Sequence, residues 1–184
     1  MKPYAAPTLP VKGDSDAFYD RSSQATIAAQ VKTVVQQAGP IHQDAVVDIV
    51  RMAWGFGRSG KKIKQTILDA VPKIPAASRP TLTKAGWLWP AGLSAADWRG
   101  FRTSEGSASR RKVARICTEE IANAMEWHLQ GAKSLSEEEL CREAAGRFGW
   151  KSGAGVRKEM ARGIAHLVET GRARKKGSTI VIVD

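Results

Sequence analysis

One pattern of residues occurs twice in this chain. Ile27, Ile41, Val46, Val50, Trp54, Gly55 and Phe56 recur 94 positions later as Ile121, Leu135, Leu140, Ala144, Phe148, Gly149 and Trp150. One residue then drops out, and Ser59-Gly60, Ile63, Lys64, Ile67 and Val71 return 93 positions on as Ser152-Gly153, Val156, Arg157, Met160 and Ile164. Apolar answers apolar, glycine answers glycine, and a cation answers a cation at Lys64/Arg157. A repeat of this length predicts a duplicated module, each copy with its own set of core positions. Each copy reads helix, short strand, helix, glycine turn, basic helix, extended segment. That order is the winged-helix form of the helix-turn-helix. The expected fold is mainly α with small β wings (α+β), in tandem duplicated winged-helix-like modules.

Breakers and caps set the expected boundaries. Residues 1–22 read as a linker, because Pro3, Pro7, Pro10 and Gly13 interrupt any helix, with Phe18 and Tyr19 able to dock on the first module. Module one is expected over 23–92, a connector over 93–115 and module two over 116–184. The first helix runs from Ser23 to Ala38 and stops at Gly39-Pro40. Ile41 is a short strand residue, and helices come next at 44–54 and 61–71, joined by the Gly55–Gly60 turn. The Pro-, Ala- and Ser-rich stretch 73–86 suits an extended wing loop, returning along Trp87-Leu88-Trp89. In module two, Thr118 caps a helix whose Glu119 and Glu120 suit the positive end of the dipole. Ser136 with Glu139 predicts a capping box. A helix over 154–170 ends at Gly171, and a hairpin closes the chain, turning at Lys176-Gly177.

Net charge decides which partners to consider. The chain has 184 residues, 29 Lys and Arg against 18 Asp and Glu, and a formal charge of +11. That favours a polyanion, nucleic acid first and anionic membrane second. No run approaches membrane-spanning length and no secretory signal pattern opens the chain, so a cytoplasmic setting without membrane association is expected. Cys117 and Cys141 are the only cysteines, which leaves no disulfide framework and no metal-ligand spacing.

Signatures of catalysis are missing from the sequence. There is no nucleophile elbow, no complete phosphate loop, no zinc pattern and no paired carboxylates, so no enzyme activity, cofactor or metal is expected. His42 stands where Ser136 stands in the other copy, which reads as a helix cap. His128 and His166 sit on helices with no Cys/His cluster near them in sequence. The basic helices are the stronger signal. In a winged helix the third helix enters the major groove, lysine attracting phosphates and arginine also able to read guanine. Lys61, Lys62 and Lys64 take that place in module one, flanked by Arg58; Arg157, Lys158 and Arg162 take it in module two, flanked by Lys151. Arg172, Arg174, Lys175 and Lys176 on the closing hairpin, and Arg110 and Arg111 in the connector, complete the candidate nucleic-acid contacts. Trp87 and Trp89, two apart, share one strand face and read as core or, if exposed, as a platform for unpaired bases at a fork.

Several of these elements together resemble a known family. Ala38-Gly39-Pro40-Ile41-His42, Gly57 to Ile63, Trp87-Leu88-Trp89-Pro90, Ile116 to Ile121, Leu135 to Trp150 and Gly171-Arg172 are similar to the uncharacterised domain at the C-terminal end of large bacterial superfamily-one helicase-related proteins, where it often follows a Vsr-like endonuclease region. The resemblance spans about residues 20–183. It departs at Gln37-Ala38, where an acidic residue is expected, and at Asp48 and Arg51 in place of an Arg-Arg pair. It implies an accessory module of a DNA-processing machine and supplies no catalytic residues. The expected function is DNA binding, to duplex or forked DNA, that positions helicase or nuclease domains on their substrate. Two alternatives share the fold: a winged-helix protein-interaction module that never touches DNA, and a sequence-specific transcription regulator.

Overall fold

The structure is a computed structural model describing residues 2–11 and 14–183. Gly13, one of the expected breakers, and Asp184, the expected end of module two, lie outside them. The elements run β1 (Lys2–Pro3), α1 (Ser23–Ala38), β2 (Ile41–His42), α2 (Gln43–Ala53), α3 (Lys61–Leu68), β3 (Thr81–Leu82), β4 (Trp87–Trp89), β5 (Arg102–Thr103), α4 (Thr118–Ala132), β6 (Ser134–Ser136), α5 (Glu137–Arg147), α6 (Ala154–Glu169), β7 (Ala173–Lys176) and β8 (Thr179–Ile182). This is a mixed α and β architecture, dominated by helix, with three small sheets. The chain divides into an N-terminal unit, Ala6–Ala95, and a C-terminal unit that joins the first residues up to Ala5 to the chain from Ala96 onward.

In the N-terminal unit, Ile27, Val31, Val34 and Val35 fall on one stripe of α1 and are buried against Val46, Val47 and Val50 of α2 and Ile63 and Ile67 of α3. Phe18, placed by sequence in a linker, is wholly buried. Its ring lies edge-on to Trp54 at 5.3 Å and to Phe56 at 4.9 Å between centroids. The Trp54 indole N–H donates to Gln30 Oε1 at 2.8 Å, so the polar end of this buried ring is satisfied. Helix α3 stops at Leu68, three residues before the expected end, and Val71–Lys73 forms a 3-10 turn containing Pro72. The stretch expected as an open wing loop folds into a second 3-10 turn, Ala76–Ser78, and strand β3. The sheet order is β2-β4-β3, antiparallel throughout. Gly39 sits where no side chain fits: a Cβ there would lie 2.5 Å from the Val35 carbonyl oxygen and 2.6 Å from Pro90 Cδ. We expect Gly39→Ala to destabilise this unit by about 1–3 kcal/mol, seen as a lower urea midpoint; an unchanged midpoint would show that the close approach is not needed.

The C-terminal unit buries Ile121, Met125 and Leu129 of α4 against Leu140, Ala144 and Phe148 around α5 and Met160, Ile164 and Leu167 of α6. Its main sheet runs β6-β8-β7, also antiparallel, so within the three-stranded sheet of each unit the first strand in sequence pairs with the last. The agreement reaches single residues. His42 pairs with Trp87 and Ile41 with Leu88; 94 positions on, Ser136 pairs with Thr179 and Leu135 with Ile180. Gln43 N–H donates to the Gly86 carbonyl, and Glu137 N–H to that of Ser178. Both second helices end in one bonding pattern: Phe56 and Gly55 N–H reach back to Arg51 and Met52, and Trp150 and Gly149 to Ala145 and Gly146. This Schellman closure puts its glycine in the left-handed region, φ 79° at Gly55 and 69° at Gly149, which is why glycine repeats there. Ser136 and Glu139 form the expected capping box, and His42 caps α2 by accepting from Asp44 N–H.

From Ala96 onward the expected connector belongs to this unit, with one short strand and the 3-10 turn Val113–Arg115. Strand β5 pairs in parallel with β1, register Lys2 to Arg102, and Phe101 and Ile116 are buried. Helix α4 begins at Thr118 with Cys117, not Thr118, at the N-cap position. The hairpin turns at Gly177-Ser178, one residue beyond expectation.

Candidate nucleic-acid interface

Each unit presents one basic helix directly after its Schellman turn. On α3, Ile63 and Ile67 face the core, while Lys61 and Lys62 lie exposed in the first turn, preceded by exposed Arg58. Lys62 Nζ stands 4.2 Å over the Tyr19 ring. Lys64 is half-buried and binds Asp44 at 2.7 Å. On α6, Met160, Ile164 and Leu167 face inward, and Arg157, Lys158 and Arg162 outward. Arg162 pairs with Glu159 one turn away at 3.0 Å. Lys151 is exposed ahead of the helix.

Neither α3 nor α6 has an acidic residue in its first turn. Cations near a helix N-terminus oppose the dipole by a few tenths of a kcal/mol to about 1 kcal/mol each, so the sequence works against local helix stability here. The same positive end, with its uncommitted N–H groups, favours a phosphate. Among the described residues Arg58, Lys61, Arg110, Lys151, Arg157, Lys158, Arg174 and Lys176 form no ion pair.

The strands that follow the basic helices carry unequal charge in the two units. Strand β7 carries exposed Arg174, Lys175 and Lys176, with Lys175 bound to Glu137. Strand β3 has no cation, and the Thr83–Gly86 turn contributes only Lys84. Trp89 is buried and Trp87 half-buried edge-on against His42, as core residues would be.

Two residues expected on the contact surface lie elsewhere. Arg111 is one-tenth exposed and bonded to Glu120 through both terminal nitrogens, at 2.8 and 2.7 Å. Arg172 is equally enclosed, held by Glu126 and by Asn123 Oδ1 at 2.6 Å. Their charge is neutralised inside the protein, which a count of cations does not reveal.

Glu120 is what sequence reasoning missed. Expected only as a partner of the helix dipole, it is fully buried. Oε1 accepts from Arg102 N–H at 2.9 Å and Arg102 Nε at 3.0 Å, and Oε2 from Arg102 at 2.6 Å. With the two bonds from Arg111, one carboxylate organises two arginines, and the Tyr4 ring covers Arg111 at 4.5 Å. Burial alone would raise the pKa of Glu120, but the Arg111 hydrogen bonds and the two guanidinium charges outweigh it and hold it below the usual value. No signal in the sequence links Glu120 to arginines 18 and 9 residues upstream.

Burial pushes the Cys117 thiol well up, and burial with Glu137 pushes Cys141 to about 11, so neither presents a ready thiolate. His128 accepts from Arg147 at 3.3 Å; burial first, then the Arg147 charge, lowers its pKa. Among the described residues no group of three or more His, Cys, Asp or Glu is placed to hold a metal ion. None of the described helices is long and apolar enough to cross a membrane.

A family model described as "Protein of unknown function (DUF3320)" matches residues 16–65. The match covers α1, β2, α2 and the start of α3. It is to an uncharacterised domain family, as the resemblance implied, over a shorter stretch than the resemblance spans. No curated protein and no solved structure matches the chain.

Proposed function

We propose that this chain is a non-catalytic DNA-binding module of two winged helices that arose by tandem duplication. It positions the helicase or nuclease domains of a larger cytoplasmic machine on their substrate. One observation carries the reading: in both units, a helix with exposed cations and no acid in its first turn follows the same glycine turn. Lys61 and Lys62 on α3, and Arg157 and Lys158 on α6, neutralise phosphates. Arg58, Lys151 and Arg110 add to that field. Arg174 and Lys176 on β7 grip the backbone beside α6, which makes the C-terminal unit the stronger contact. Lys64, Arg162 and Lys175 have carboxylate partners and contribute once those pairs open. The helicase partner rests on the resemblance to the C-terminal domain of helicase-related proteins.

The test is fluorescence anisotropy with duplex, single-stranded and forked DNA over a salt series. Sub-micromolar affinity near physiological salt, a steep salt slope and preference for the fork are expected. Strong preference for one duplex sequence would favour a transcription regulator. Millimolar, structure-blind binding would reject DNA as the ligand and favour the protein-interaction alternative.

A further inference from the structure

The C-terminal unit covers a face of its first helix that the N-terminal unit leaves open. At the 94-residue offset, Ala28, Ala29 and Lys32 of α1 correspond to Ala122, Asn123 and Glu126 of α4. Residues 98–102 lie over that face of α4: the Asn123 amide donates to the carbonyls of Trp98 at 3.1 Å and Gly100 at 2.9 Å, and Asn123 is buried. The acid is on the helix and the base on the cover, Glu120 binding Arg102. On α1 the acids of that face are absent: Thr26 stands where α4 has Glu120, and Lys32 where it has Glu126. Ala29 is exposed, and a groove of about 550 Å³ is floored by Ala25, Ala28 and Ile74 and rimmed by Arg21, Lys32 and Lys73. Among the described residues no acidic one lines it. Lys73 donates to Gln24 at 2.8 Å, while Arg21 and Lys32 form no ion pair among the described residues. The positive end of α1, whose first turn also lacks acids, reinforces the field.

We propose that this groove receives an extended, acidic segment of a partner protein, alternating apolar residues with Asp or Glu. The segment lies on α1 as residues 98–102 lie on α4. Alternate side chains of an extended chain point to opposite sides, so apolar residues reach the Ala–Ile floor while backbone and carboxylates meet the cationic rim. A nucleic-acid backbone would satisfy the rim and leave that floor wet, which is why a peptide is the favoured occupant.

The experiment titrates the isotope-labelled full chain with short peptides alternating Leu and Glu, with counterparts carrying Lys for Glu, and with duplex DNA. The expected result is saturable shifts of the Ala25, Ala28, Ala29 and Ile74 amides with the Glu peptides only. The variant Arg21→Glu/Lys32→Glu/Lys73→Glu is expected to lose roughly tenfold or more in affinity for the Glu peptides and to accept the Lys peptides. Absence of groove shifts with every Glu peptide overturns the proposal. So do duplex DNA shifts at the same four amides, since the groove would then be a nucleic-acid surface. Because the wild-type shifts locate the site, the outcome does not depend on how well the variant folds. A variant of α3 and α6 that loses DNA but keeps the peptide separates this inference from the DNA reading.

Discussion

Glu120→Ala is expected to destabilise the C-terminal unit by about 3–5 kcal/mol. The substitution removes the shared acceptor of Arg102 and Arg111, whose side chains are less than one-tenth exposed. Two buried guanidinium groups would then lose the carboxylate they share, and it is the uncompensated charge, more than the lost attraction, that makes the effect large. The damage spreads because Arg111 also holds the chain through Arg102 O, and the Trp150 indole N–H donates to Arg111 O at 2.9 Å. Glu120→Gln keeps the shape and is expected to fall between wild type and alanine. Thermal unfolding followed by circular dichroism measures it. A melting temperature within a degree or two of wild type for the alanine variant would show that solvent reaches the arginines.

The same carboxylate gives a pH dependence whose sign can be worked out. Its folded pKa lies below the ordinary carboxylate value. Its contribution to stability is therefore complete above that ordinary value and is lost as pH falls through the folded one. Wild type is expected to lose stability on acidification more steeply than Glu120→Gln, which has no proton to take up at that site. Parallel acid profiles for the two proteins would remove Glu120 from the account.

What could be read in advance and what could not have a common physical origin. Helices α1, α2 and α6 lie within a residue of their expected limits because apolar period, Gly39-Pro40 and Gly171 are local signals. Burial of Ile27, Val46, Val50, Ile63 and Ile67, and of Ile121, Leu140 and Met160, matches the positions that recur in the sequence. Strand β1 had no signal to read, since Lys2-Pro3 pairs with Arg102-Thr103 through backbone alone. Arg111 and Arg172 read as surface cations in sequence because Glu120 and Glu126 reach them only through tertiary packing, Glu126 from 46 residues away. Charge on an exposed helix is legible from helical period; charge neutralised across the fold is not.

That distinction selects the cations whose loss should matter for DNA. The variant Lys61→Glu/Lys62→Glu/Arg157→Glu/Lys158→Glu changes four exposed side chains, none in an ion pair among the described residues. Its fold should survive, since acids suit the first turn of α3 better than lysines do. If all four meet phosphates, the slope of log affinity against log salt should flatten by roughly 3–4. Affinity near physiological salt should then fall on the order of a hundredfold or more. Arg111→Gln and Arg172→Gln should instead lower stability and leave the salt slope alone, because those guanidiniums face carboxylates inside the protein. Anisotropy with forked DNA at several salt concentrations separates the two classes. An unchanged slope in the quadruple variant would clear α3 and α6 of phosphate contact and leave the exposed cations of β7, Arg174 and Lys176, as the next surface to reverse.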